Sequence, residues 1–285
     1  MATVSIPTDK KVWFITGVST GLGRALAEAV LAHGDFLVGT VRDASQIEVI
    51  EKLAAGRVLC IQMDVTNVSE VKAAVEQAIK HFGQIDVLVN NSGHGMIGAI
   101  EEASDEEVRT LFDVNVFGVL HVLRAALPHM RARHSGTVIN MSSQGGMRSF
   151  PGSGHYCGSK HALEAFSESL AMELAPAGIK VLIVEPGPFR TDFAGRSMVV
   201  ARQVIPDYAA SSGMRRANLK NVDGKQKGDP VRAAEAIIQV VNSPNPPLRL
   251  ALGAEALKGM REKVTSVMQE WSTWESVSIN ADYPE

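Results

Sequence analysis

Two cysteines, Cys60 and Cys157, are all that 285 residues contain. So far apart, they form neither a disulfide framework nor a metal-ligand pair, and two such thiols fit a reducing compartment. The eight histidines show no His-x-x-x-His spacing, and there is no Cys-x-x-Cys, so no metal site is expected. Neither sign of charge dominates. Lys and Arg number 28 against 31 Asp and Glu, a formal net charge of −3, which lacks the basic footprint of a nucleic-acid partner. No run approaches the length needed to span a bilayer, so no transmembrane segment is expected. The opening residues MATVSIPTDKK have no apolar stretch behind their charges and do not read as a secretory signal. The cytoplasm is the expected location. Linkers, low-complexity runs and solenoid-period repeats are absent too, so residues 1–285 read as one domain.

What is present is ordinary globular material, 45% hydrophobic, enough for a large core. Short apolar strands alternate with helical stretches. Strands are expected at Val12–Thr16, Phe36–Val41, Val58–Gln62, Ile85–Asn90, Gly136–Met141, Ile179–Glu185 and Leu248–Leu252. Helices are expected at Gly21–His33, Ser45–Ala55, Val68–Phe82, Asp105–Arg133, His155–Ala175, Pro230–Asn242 and Ala254–Gln269. Two-sided apolar strands joined by helices make a parallel sheet covered on both faces. The predicted fold is therefore α/β, a doubly wound parallel sheet of about seven strands.

Two stretches carry chemistry. Between the first strand and first helix lies Thr16-Gly-Val-Ser-Thr-Gly-Leu-Gly23. Gly17 permits a tight turn, and Gly21 and Gly23 permit close backbone approach. The helix that follows offers unpaired amides and a positive dipole end to a pyrophosphate. A glycine cluster alone could be a plain turn, but strand before and helix after is the context of a dinucleotide site. The second stretch, Asn140–Lys160, ends in Tyr156-x-x-x-Lys160, which puts both side chains on one helix face. An adjacent ammonium is expected to lower the tyrosine pKa. Ser143, upstream, can donate to a developing oxyanion, and Ser142 is its neighbouring alternative. Standing alone, Tyr-x-x-x-Lys would be an ordinary amphipathic helix.

Together these motifs resemble the short-chain dehydrogenases/reductases of the classical type. Thr16-Gly-x-x-x-Gly-x-Gly23 is similar to that family's cofactor turn, and Asn90-Asn-Ser-Gly93 resembles its Asn-Asn-Ala-Gly motif, with Ser92 for alanine. Asn115, Ser143, Tyr156 and Lys160 match its catalytic tetrad, and Pro186-Gly-Pro-Phe-Arg-Thr191 its Pro-Gly motif. Val41-Arg-Asp43, Phe112–Gly118 and Glu185–Pro188 look most like the branch of 17β-hydroxysteroid and retinol dehydrogenases. The likeness runs motif by motif over residues 10–192.

The resemblance implies a Rossmann-type oxidoreductase that interconverts a ketone or aldehyde and an alcohol. Tyr156 would be the general acid and base. Lys160 would hold the nicotinamide ribose, Ser143 would bind the substrate oxygen, and Asn115 would join a proton relay through water. Asn115 could otherwise be a surface residue at a helix kink. For the cofactor, the likeness implies contacts from Gly17, Ser19, Thr20, Gly21, Leu22 and Gly23. Asp64 and Val65 would hold adenine, though Asp64 could instead cap a helix. Asn91, Ser92 and Gly93 would line the ribose side, and Pro186, Gly187, Phe189 and Thr191 the carboxamide end. Arg42, at the end of the second strand, favours NADP(H) over NAD(H), because a guanidinium can fork onto a 2′-phosphate. Asp43 works against this if it turns inward. An NAD-dependent alcohol dehydrogenase, a 3-ketoacyl reductase and a non-catalytic dinucleotide sensor are the competing readings. A ketoacyl reductase would usually end soon after the seventh strand. Residues 193–228, rich in glycine and basic charge with little periodicity, read as a substrate lid. Residues 254–285 form a C-terminal extension whose Trp271 and Trp274 are expected to cap the core, or else to touch the pocket or a partner subunit. The resemblance also implies a homodimer or homotetramer acting on a small-molecule carbonyl or alcohol.

Overall fold

The computed structural model describes residues 4–283; the extreme ends of the expected single domain lie outside the described residues. The first half runs β1 (Val12–Ile15), α1 (Gly21–Ala32), β2 (Phe36–Val41), α2 (Ile47–Glu51), β3 (Val58–Gln62), α3 (Val68–Phe82) and β4 (Val87–Asn90). Then follow β5 (Gly95–Ile97), α4 (Asp105–Phe112), α5 (Gly118–Arg133), β6 (Gly136–Met141), α6 (Gly154–Leu174) and β7 (Ile179–Pro186). The chain closes with β8 (Met198–Val200), α7 (Met214–Val222), α8 (Pro230–Val241), β9 (Arg249–Leu252) and α9 (Ala254–Ile279).

Seven strands form one sheet in the order β3-β2-β1-β4-β6-β7-β9. Every pairing in it is parallel. This is the Rossmann-type doubly wound sheet. Strand periodicity splits its core in two. Val12 and Phe14 point to the layer built with α3 and α5, where Val75 and Val122 pack. Trp13 and Ile15 point to the other, with Val30 of α1 and Ile237 of α8. All four of these β1 side chains are fully buried. The strand order reverses between β1 and β4, so a crevice opens at their carboxyl ends, where ligands bind in such sheets.

Several expectations need correction. Ser45–Ala55 is not one helix: a 3₁₀ turn over Ala44–Gln46 precedes a short α2, and the chain turns into β3 at Gly56, φ 76°. The predicted C-terminal helix extends beyond Gln269 to Ile279. The aperiodic stretch 193–228 contains β8, which pairs with β5 as a second small parallel sheet, and α7. Its strand is too short, and its helix too poor in apolar residues, to leave a periodic signal. Finally, the continuous helical stretch Asp105–Arg133 is long and apolar enough to cross a membrane by length and composition. Here Val119, Val122, Leu123, Ala126 and Met130 of that stretch pack into the core beside α3.

Candidate active site

Tyr156 lies in the first turn of α6 and Lys160 one turn later, both at the carboxyl end of the sheet. Lys160 is only 6% exposed. Its Nζ donates to the Met141 carbonyl at 2.7 Å, at the end of β6, and sits 6.0 Å from the centre of the Tyr156 ring. Burial pushes its pKa down to about 8, against the pull of Glu164 one turn further along the helix. Burial likewise pushes Tyr156 up to about 12, opposed by a hydrogen bond with the Ser143 side chain. The sequence led us to expect an ammonium that lowers the tyrosine pKa. Instead the tyrosine pKa rises, with desolvation the largest cause, while the Lys160 ammonium is bound to a backbone carbonyl. Near neutral pH the Tyr156 hydroxyl keeps its proton.

Ser143 caps a 3₁₀ turn, with Oγ accepting from Gly145 N at 3.0 Å and donating towards the Pro186 carbonyl at 3.5 Å. Ser142 faces the other way, against the Glu164 carboxylate. Of the two serines, the structure therefore brings Ser143 to the tyrosine. Asn115 sits in a π-helical turn, Asp113–Phe117, between α4 and α5. It is fully buried, so the surface alternative fails. Its amide bridges both backbone groups of His94, accepting from N at 3.0 Å and donating to O at 2.9 Å. It also donates to Ser159 Oγ at 3.1 Å. A Cβ on Gly93 would lie 3.0 Å from Asn115 Oδ1 and 3.6 Å from Lys160 Nζ, so both side chains crowd that glycine.

The Gly-rich turn is braced from β4. Asn91 Nδ2 donates to the carbonyls of Thr16 at 2.9 Å and Gly17 at 3.0 Å. Thr16 Oγ1 accepts from the amides of Asn91 and Ser92, both at 2.9 Å. The Asn91 side chain thus holds the turn, which leaves its backbone to face the ribose side. Gly17 and Gly21 have φ of 73° and 65°. A Cβ on Gly23 would collide with the Asn91 amide and the Gly17 carbonyl. Thr20 occupies the N-cap of α1 without bonding its amides, which leaves them uncapped at the crevice. Ser19 and Leu22 flank Thr20 and Gly21 on this same turn. Thr191 Cβ comes within 3.8 Å of a Cβ position on Gly21, closing the Pro-Gly segment over the turn. Gly187 N donates to the Leu252 carbonyl at 2.9 Å, and Phe189 bridges to Gly228.

At the adenine end, Asp43 accepts from Ser45 N at 2.9 Å and caps the turn before α2, which holds its carboxylate below the usual range. Arg42 is exposed, and its charge, after burial, helps to lower the pKa of His94 across the crevice. Asp64 is no helix cap: it accepts from Thr66 N at 2.8 Å, and Asn67 caps α3. The Val65 side chain is buried in the core beside Gly118, so only its backbone can meet a ligand.

Three features escaped the sequence reading. Phe193 packs on Tyr156, with ring centres 5.8 Å apart. Ser159 holds Asn115. Behind Lys160, Arg249 reaches Glu164 at 3.3 Å and Glu185 at 3.4 Å and also pairs with Glu168. Burial and the neighbouring Glu164 push Glu185 up to about 7. The spacing of Lys160 and Glu164 at i, i+4 was the available signal. Because Glu164 raises the pKa of Lys160, Glu164→Gln should let it fall further. The high-pH limb of turnover, expected near pH 8 in the parent, should then move to lower pH; an unmoved limb in a pH–rate profile would show that Lys160 does not set it. Among the described residues no group of side chains could hold a metal ion.

The sequence profile for short chain dehydrogenases matches residues 11–198. The oxidoreductase BOA17 of Botryotinia fuckeliana is 37% identical over 272 residues, covering 94% of this chain and 98% of that one. A short-chain dehydrogenase from Streptomyces avermitilis superposes with a TM-score of 0.91 at 42% identity, covering 97% of this chain and all of the other. Two more distant structures, each 26% identical, contain cofactors. One is a short chain dehydrogenase/reductase from Burkholderia phymatum in complex with NAD (TM-score 0.81, 93% and 97% covered). The other is an alcohol dehydrogenase from Thermococcus sibiricus with 5-hydroxy-NADP (TM-score 0.71, 86% and 96% covered). With the seven-stranded sheet, the braced glycine turn and the Tyr156–Lys160 pair in place, the chain belongs to the short-chain dehydrogenase/reductase family and is an NAD(P)-dependent oxidoreductase.

Proposed function

We propose that this enzyme interconverts a ketone or aldehyde and an alcohol with NADP(H), with Tyr156 transferring the proton. One observation carries this reading: Tyr156 stands beside Ser143, both against Gly145, and one helical turn from Lys160, with its hydroxyl pKa held above the usual value. Such a group can donate to a carbonyl oxygen and take the proton back in the reverse direction. Ser143 Oγ stabilises the same oxygen. Lys160 and Asn115 fix the floor of the site through Met141 and His94. Asn115 acts first as a brace, and a water link to Lys160 is compatible with its place behind Gly93.

The crevice fits a dinucleotide. The uncapped amides at Thr20–Gly23, and the close approach that a side chain on Gly23 would block, suit a pyrophosphate. Ser19 and Leu22 would add backbone contacts there. Asp64 and Val65 would meet adenine, Ser92 and Gly93 the ribose side, and Pro186, Gly187, Phe189 and Thr191 the carboxamide. When bound, the nicotinamide supplies or accepts the hydride. A screen of ketones and alcohols with NADPH and NADH tests the reading. Cofactor binding without turnover of any of them would favour the sensor instead.

Residues 193–228 act as the lid. Three acids in and just before α4 hold it. Glu102, whose side chain is fully buried, accepts from Ile205 N at 2.9 Å and pairs with Arg216. Glu107 accepts from Arg202 N at 3.1 Å, and Glu101 from the Tyr208 hydroxyl. Glu102→Ala should speed limited proteolysis within 193–228 by about tenfold or more, since a buried ion pair is lost. Cofactor and substrate should slow cleavage of the parent; equal rates with and without them would count against a lid.

A further inference from the structure

The last helix leaves the body of the protein soon after it starts. Ala256 packs beside Gly187, and Gly259 lies directly under the Arg148 guanidinium, which would have to move to admit a side chain there. Met260 is buried, but no described residue after it is. Residues 261–279 of α9 therefore project for roughly 28 Å at 1.5 Å per residue. A free-standing helix of this length is marginal in water unless an apolar face is covered.

That face exists. Leu257, Met260, Val264, Val267, Trp271 and Trp274 recur at alternating steps of three and four, the seam of a two-helix coiled coil. The seam begins against the body at Met260 and runs on into solvent, where Trp271 is 68% and Trp274 63% exposed. The two tryptophans thus do not cap the core. Their flanks carry charge of opposite sign at the two ends: Arg261 and Lys263 near the body, Glu270 and Glu275 further out. Among the described residues, none of the four makes an ion pair within the chain.

We infer that the projecting half of α9 pairs antiparallel with the same helix of a second copy of this chain. An isologous pair about a twofold axis near Val267 sets Arg261 opposite Glu275 and Lys263 opposite Glu270. A parallel pair would instead bring Glu270 against Glu275. Four tryptophans, two from each copy, would bury on the order of 600 Å². That is over half of the roughly 1,000 Å² a specific interface needs. The inference is independent of the catalytic reading.

Sedimentation of the full chain with NADP, at micromolar concentration, tests it. The parent should run as a dimer or a higher even oligomer. Trp271→Glu combined with Trp274→Glu should halve that mass while cofactor binding stays, because both side chains lie outside the fold. The pairing direction is read by cross-linking. Both native cysteines are buried, so introduced thiols report cleanly. Met268→Cys, near the axis, should cross-link to itself, and Arg261→Cys should cross-link to Glu275→Cys when the two variants are mixed. A monomeric parent, an unchanged mass in the double variant, or self-cross-linking of Arg261→Cys would overturn the pairing. So would a monomer that floats with zwitterionic lipid vesicles, since the stripe would then face a bilayer.

Discussion

Tyr156→Phe is expected to lower turnover by at least about a hundredfold while cofactor affinity stays near that of the parent. The ring keeps its packing against Phe193, so the variant loses a hydroxyl and little else. General acid–base transfer by a positioned side chain is typically worth 10²–10⁴. With its pKa pushed up to about 12, the hydroxyl remains a proton donor throughout the neutral range, and Ser143 alone is a far weaker acid. Steady-state rates with equilibrium binding of NADP make the measurement. Near-normal turnover would remove Tyr156 from the mechanism; lost cofactor binding would mean the hydroxyl supports the site rather than the chemistry.

Arg42→Ala should weaken NADP binding by about 1.5–3 kcal/mol, the scale of a hydrogen bond to a charged group. That is roughly 10–150-fold in Kd. NAD should change little, because no 2′-phosphate then meets the guanidinium. Two features favour this outcome. Asp43, the acid that could repel the phosphate, is engaged with Ser45 N at 2.9 Å. Arg42 is also near enough to the crevice for its charge to act on His94. Isothermal titration with both dinucleotides separates the possibilities. A parent that prefers NAD, or a variant weakened equally for both, would refute the assignment.

Much of this was legible in the chain. Two-sided apolar strands such as Val12–Ile15 and Leu37–Val41 can only be buried on both faces, so the sheet could be read from composition and period. The Gly-rich turn was legible because glycine identity and chain position together constrain the backbone. What stayed hidden depends on partners far apart in sequence. Nothing near Asn91 says that its amide will hold the Gly17 carbonyl. Nothing near Glu102 says that it will receive Arg216 across 114 positions. Burial, which reversed the expected direction for Tyr156, is a property of the assembled fold. In the stretch 193–228, segments such as Met198–Val200 take their structure from the strand they meet rather than from any periodicity of their own.

The π-helical turn at Asp113–Phe117 has an evolutionary reading. A π-turn is an α-helix that has accepted one additional residue, and such bulges collect at functional sites. Removing one residue between Phe112 and Phe117 would let α4 and α5 run on as a single α-helix. The core positions Leu111 and Val122 could each keep their places, but Asn115 would swing about 100° off the line to His94. The placing of Asn115 against His94 is in this sense a property of chain length as much as of residue identity. A lineage could lose it through one deleted codon with the amino acid itself still written in the gene.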